Sequence, residues 1–89
     1  MDNMDKETIE LLAFIKGSKH RISILLYLGD TIKITSQIAE NVDLRVTHTS
    51  RTLKELKEKD LVTVLNPEAK RSRLYKLTPK AKELLQYLP

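Results

Sequence analysis

The sequence contains no cysteine and no tryptophan, and only two glycines, three prolines and two histidines in 89 residues. Without cysteine there is no disulfide framework, no thiolate ligand for zinc and no thiol nucleophile. His20 and His48 are too few for a dedicated histidine metal cluster. So little glycine and proline leaves no low-complexity stretch and no flexible linker. No apolar run approaches the roughly 20 residues that span a bilayer. The acidic, polar start MDNMDKETIE is not that of a signal peptide. The length reads as one domain, residues 1–89, with a thin core. There is no Gly-rich phosphate loop, no nucleophile with a partnered base and no metal-ligand spacing, so neither an enzyme nor a bound cofactor is expected.

Acidic charge is scarce in one half of the chain. Residues 1–43 carry 5 basic and 7 acidic side chains, a net of −2; residues 44–89 carry 11 and 5, a net of +6; together they give the formal +4. Such asymmetry points to an anionic partner for the C-terminal half. A lysine-rich solvated surface is the plainer reading of the same numbers.

Residues 5–16 carry Ile9, Leu11, Leu12, Ala13 and Ile15 at helical spacing. Asp5, Glu7 and Glu10 lie in the early turns and Lys16 in the last, as the helix dipole favours. Gly17 is expected to end this helix and Ser18 to cap a second one to Leu28. Ile22, Leu25, Leu26 and Leu28 would form its broad inner face. Gly29–Asp30 is a stop, and TIKI (31–34) a brief β-branched strand. Thr35 is expected to cap a short helix from Ser36 to about Val42, with Ile38, Ala39 and Val42 inside. Asp43 then breaks it, because aspartate is one of the few residues that tolerate the left-handed backbone of a tight turn.

A longer helix is predicted over about 46–59. Val46, Thr49, Leu53 and Leu56 lie on one face, and Thr47, Arg51, Lys54 and Glu58 about 180° away. LVTVL (61–65) and RLYKL (73–77) read as strands. The loop between them, 66–72, is too long for a tight hairpin and is expected to project, making with Arg73 a basic wing over 66–73. Thr78 and Pro79 start a last helix to about Leu88 as its cap and first residue. The expected fold is therefore mainly α with a small β-hairpin (α+β). Two helices joined by a tight turn, the second polar and basic outside, make a helix-turn-helix; the basic hairpin after it makes that a winged helix.

The stretches QIAENVDLRVTHTSRTLKELKEKDLV (37–62) and KRSRLYKLTPKAKELL (70–85) resemble the winged helix-turn-helix of MarR- and ArsR-type transcription regulators. The matching pieces are Ala39, the turn at Asp43, Thr47-His48-Thr49-Ser50-Arg51, Glu58-Lys59-Asp60-Leu61-Val62, and Arg73 through Ala81. Asp43 and Asp60 stand where that family has glycines, and Arg45 where it has a serine cap, which leaves Thr47 as the other candidate cap. The resemblance implies a sequence-specific double-stranded DNA-binding regulator, cytoplasmic and nucleoid-associated. An effector is compatible with that class, but nothing in the sequence supports one.

The resemblance places Thr47, His48, Ser50 and Arg51 in the reading half of the recognition helix, since a major groove about 12 Å wide admits one helix. Arg51 can pair bidentately with guanine or clamp a phosphate; His48 is either a groove contact or an ordinary surface histidine. Lys54 should reach backbone, and Arg45 adds a cation at the helix start. Thr35 and Ser36 open the preceding helix, where free N–H groups suit phosphate. Lys70, Arg71 and Arg73 would follow the backbone or enter the minor groove. Lys57, Lys59, Lys80 and Lys82 read as general surface charge.

The end segments, 1–17 and 78–89, are expected to contribute to a homodimer. Leu11, Leu12, Phe14, Ile15, Leu84, Leu85 and Leu88 are more apolar surface than a thin core obviously covers. The competing function is a winged-helix protein–protein module of transcription or replication machinery, because this fold serves both purposes.

Overall fold

The computed structural model describes residues 5–89. The first four residues, part of the acidic start and of the 1–17 segment expected in a dimer, lie outside the described residues. The elements are α1 (Lys6–Lys16), α2 (Lys19–Leu28), β1 (Lys33–Ile34), α3 (Thr35–Val42), α4 (Val46–Glu58), β2 (Val62–Val64), β3 (Leu74–Leu77) and α5 (Pro79–Leu84), which runs into a 3₁₀ turn, Leu85–Tyr87. This is the winged-helix order. The small sheet has three antiparallel strands rather than two, ordered β1-β3-β2, with Lys33 opposite Tyr75 and Val64 opposite the same tyrosine.

Local chemistry sets most helix ends. Asp5, which the charge pattern puts in the first turn, is instead the cap of α1: its carboxylate accepts the Thr8 N–H at 2.8 Å; the Ser18 hydroxyl accepts the Arg21 N–H at the start of α2, as expected. Thr78 caps α5 as expected, with Pro79 behind it, and its hydroxyl also donates to the Asp60 carbonyl at 2.8 Å. Asp43 and Asp60 both adopt the left-handed conformation, at φ 59° and 60°. In each case the next N–H, of Leu44 or Leu61, reaches back five residues, to the Ala39 or Leu56 carbonyl. The two helices of the motif thus end in the same Schellman arrangement, which satisfies carbonyls the helix itself leaves open.

Several expected ends and faces are corrected. Gly17 does end α1, as expected, but in ordinary right-handed backbone at φ −71°. Arg21 of α2 reaches the same end of α1, its Nη1 donating to the Phe14 carbonyl at 2.6 Å. Thr35 is the first residue of α3, not its cap; Ile34 holds that position and its N–H is taken by the Gln37 side chain at 3.0 Å. Arg45, not Thr47, precedes α4, and its carbonyl accepts both the N–H and the hydroxyl of Thr49. The last α-helix stops at Leu84, and only the 3₁₀ turn continues toward Leu88.

The core is built from one face of every helix and the inner face of the sheet. Ile15, Ile24, Leu25, Leu28, Ile38, Leu53, Leu56 and Leu61 are fully enclosed, with Val62, Tyr75, Leu77, Ala81 and Leu84 beside them. Ile24 takes the inner position that the sequence pattern assigns to Leu26; on α4, Val46 is exposed rather than inside, and Thr52 is buried beside Thr49, Leu53 and Leu56. Val46 is the first residue of α4 and lines the open groove beside it. The expectation that the chain cannot cover its end helices is also corrected. Leu11, Leu12, Ile15 and Leu84 are buried within the single chain, and Phe14, Leu85 and Leu88 are partly covered. Arg21 completes the junction of α1, α2 and α4. Its guanidinium carbon lies 3.8 Å from the centre of the Phe14 ring. Among the described residues no helix is long and apolar enough to cross a membrane.

Candidate nucleic-acid interface

The two aspartate turns fix how α4 leaves α3 and how the chain returns into β2. With Thr49, Thr52, Leu53 and Leu56 buried, the opposite side of α4 must face solvent. At about 100° per residue its surface divides into three strips. Thr47, Arg51 and Glu58 point outward and are exposed. His48 and Glu55 flank them toward α2, where the His48 ring meets His20 edge-on at 5.5 Å and Glu55 meets Arg21 at 3.3 Å. Val46, Ser50, Lys54 and Lys57 flank them on the other side, toward the loop that joins β2 to β3.

That last strip forms one wall of an open groove of about 600 Å³. Thr35 and Ser36, at the start of α3, form its end. Lys70, Arg71, Ser72 and Arg73 of the β2–β3 loop form the opposite wall, over a floor of Leu53 and Tyr75. Five cations therefore line the groove (Lys54, Lys57, Lys70, Arg71 and Arg73), with no carboxylate among its lining residues. Such a concave surface of one sign concentrates the field and suits a polyanion.

The fold thus gathers Thr35, Ser36, Ser50, Lys54, Lys70, Arg71 and Arg73 around one groove. Arg45, Thr47, His48 and Arg51 lie outside its lining but are exposed on the same helix or at its start. Lys57, general surface charge by its sequence context, also lines the groove. Ser50, Lys54 and Lys57 stand at i, i+4 and i+7, the spacing of one helix face, so a signal exists in the chain; it becomes visible only with the loop lying across it. Arg73 differs from its neighbours: its Nε donates to the Ala69 carbonyl at 2.8 Å and its Nη2 to that of Pro67 at 3.4 Å.

Among the described residues no group of three or more His, Asp or Glu side chains is arranged to hold a metal ion. His20 and His48 form only their aromatic pair.

Residues 5–81 match the family model of the winged helix DNA-binding domain. Among solved structures, ZitR from Lactococcus lactis in complex with DNA superposes with a TM-score of 0.69 at 26% identity, over 78% of this chain and 48% of ZitR. This chain thus spans about half the length of that protein. HlyU from Vibrio cholerae gives a TM-score of 0.78 at 17% identity, over 97% of this chain and 92% of HlyU. The homodimeric winged helix-turn-helix DNA-binding domain of Mb0332 from Mycobacterium bovis, a possible ArsR-family transcriptional regulator, gives 0.71 at 19% identity, over 98% of this chain and 85% of that fragment. The latter two likenesses bear on the fold alone. No curated protein matches the sequence.

Proposed function

The chain belongs to the winged helix DNA-binding domain family, and we propose that it is a sequence-specific regulator of transcription that reads duplex DNA with α4. The observation that carries this reading is the groove whose lining holds Lys54, Lys57, Lys70, Arg71 and Arg73 and no carboxylate. A duplex laid against the first half of α4 meets Thr47 and Arg51 on its outward face, Ser50 on the groove side and His48 on the opposite flank, toward α2. Arg51 is the base-reading residue, because its planar fork matches the two acceptors of guanine. Arg45, Thr35 and Ser36 lie where the phosphates of one strand would pass, and Lys54, Lys57 and the wing cations where they would continue. Phosphate contacts of this kind set register and affinity, and base contacts set preference.

The unit acts as a homodimer, which would present two recognition helices to half-sites about one turn of DNA apart. Exposed Ile9, partly covered Phe14, and Leu85 and Leu88 at the C-terminal end support such an interface; Leu11, Leu12, Ile15 and Leu84 support it from behind, as the packed layer under it. The homodimeric Mb0332 domain shares this fold. Duplex DNA is the partner, and no catalytic step is assigned.

Selection of bound sequences from random duplex tests the reading in one experiment. An enriched, two-fold symmetric site is expected. Affinity for it should fall by about 10³–10⁵ between 50 and 200 mM salt if about six to ten phosphates are engaged per dimer. No enrichment, with binding that is flat in salt or absent at low salt, would overturn the proposal in favour of a protein-interaction module.

A further inference from the structure

The β2–β3 loop is long and polar, and its composition alone would leave it loose. Its hydrogen bonds say otherwise. Asn66, Pro67, Glu68 and Ala69 form a turn closed by the Ala69 N–H on the Asn66 carbonyl at 2.9 Å. Proline in its second place fixes one backbone angle in advance. The Asn66 side chain then spans the two limbs of the loop. Its Nδ2 donates to the Ser72 carbonyl at 3.2 Å, and its Oδ1 accepts the Leu74 N–H at 2.7 Å. Arg73 adds its two donations to the Ala69 and Pro67 carbonyls from the returning limb. Ser72 sits at φ 54°, in left-handed backbone that serine seldom adopts. The Asn66 amide, bonded to the carbonyl of that same residue, is what holds it there.

Between these two anchors lie Lys70 and Arg71, exposed and lining the groove. They take part in none of the salt bridges among the described residues. The loop therefore divides its labour: Asn66 and Arg73 bind the loop to itself, and Lys70 and Arg71 are left to face a ligand.

We infer that Asn66 is a positioning residue of the proposed DNA site: its side-chain amide clasps the wing so that Lys70 and Arg71 stand ready across the groove from Lys54 and Lys57 before DNA arrives. The inference rests on the DNA-binding reading above. A pre-ordered loop raises affinity because the ordering cost is not charged to binding. Arg73 acts on the same loop as a second positioning residue, chiefly through its guanidinium bonds to the backbone.

Asn66→Ala tests this without changing charge. Its affinity for the selected duplex should fall about tenfold. The slope of log affinity against log salt should become shallower by about 0.9 for each phosphate no longer engaged, a change that a merely structural residue would not produce. The Leu74 amide should lose its protection from hydrogen exchange while the core amides keep theirs. Adding Ser72→Gly, which removes the objection to left-handed backbone, should recover part of the affinity and of the slope. Equal affinity in Asn66→Ala and the unaltered protein would overturn the inference, and so would a loss of affinity with an unchanged salt slope. If the unaltered protein binds no duplex at all, the DNA reading itself falls. The hydrogen-exchange comparison at Leu74 would then still show whether Asn66 orders the loop, so the two failures are distinguishable.

Discussion

Arg21 and Glu55 meet at 3.3 Å across the junction of α2 and α4, on the side of α4 away from the groove. The same guanidinium stacks on Phe14 and donates to its carbonyl. One side chain thus ties α1 and α2 to the helix proposed to read DNA. Glu55 is nearly half exposed, so the ion pair alone contributes at most about 1 kcal/mol. The carbonyl bond and the packing on Phe14 contribute more. Arg21→Ala should cost about 1–3 kcal/mol in urea unfolding, and Glu55→Gln less than about 1 kcal/mol. Arg21→Lys should recover little, since an ammonium cannot stack and bond at once. Equal costs for Arg21→Ala and Glu55→Gln would show that the ion pair carries the junction.

Asp43 stands at φ 59°, where most side chains are strained. Asp43→Gly should therefore be neutral or slightly stabilising, and Asp43→Val should cost about 1–3 kcal/mol. Denaturant midpoints at constant slope would check both. Because this turn sets the departure of α4 from α3, Asp43→Val should also weaken duplex binding, by moving α4 and not by removing any group that touches DNA.

The two titrations with a clear direction lie at the molecule's ends. The Asp5 carboxylate accepts the Thr8 N–H, with help from the Thr8 side chain, which holds it below its ordinary 3.8. Its contribution to stability is present above that value and is lost as pH falls through the lowered one. Lys80 is raised above its ordinary 10.5, first by its hydrogen bond to Glu7 and also by the charges of Glu7 and Asp60. Its contribution is present below 10.5 and is lost as pH rises through the raised value. Asp5→Asn should flatten the acid limb of the stability profile, and Lys80→Met the alkaline limb. A profile unchanged by either substitution would exclude that group from the pH dependence.

Arg51 and Lys70 should differ in kind. Arg51→Ala is expected to cost about 1–3 kcal/mol on the selected site and to relax preference at one base pair. Lys70→Ala should weaken all duplexes alike and reduce the salt slope by about 1. Affinities on selected and scrambled duplexes at three salt concentrations would separate the two; equal losses on both duplexes for both variants would refute the division.

Much of this was legible in the chain itself. The element order, the helix-turn-helix and the basic hairpin follow from local chemistry. Ser18 and Thr78 accept N–H groups that are three residues away, Asp43 tolerates a left-handed turn, and Pro79 starts a helix it cannot interrupt. Each depends only on near neighbours, so the sequence shows it. The face of α4 that meets solvent was also readable, because burial of Thr49, Leu53 and Leu56 forces the opposite side out.

What the sequence by itself determined, then, is the set of elements, the basic character of the C-terminal half and the outward stripe of Thr47, Arg51 and Glu58. Tertiary structure alone decided which cations share a groove, that Lys57 joins them, that β1 extends the hairpin to three strands, and that the end helices bury Leu11, Leu12, Ile15 and Leu84 within one chain. The physical reason is separation along the chain. A cap or a turn is closed by residues three to five apart, whereas Lys57 and Lys70 come together only when the sheet carries the loop back across α4.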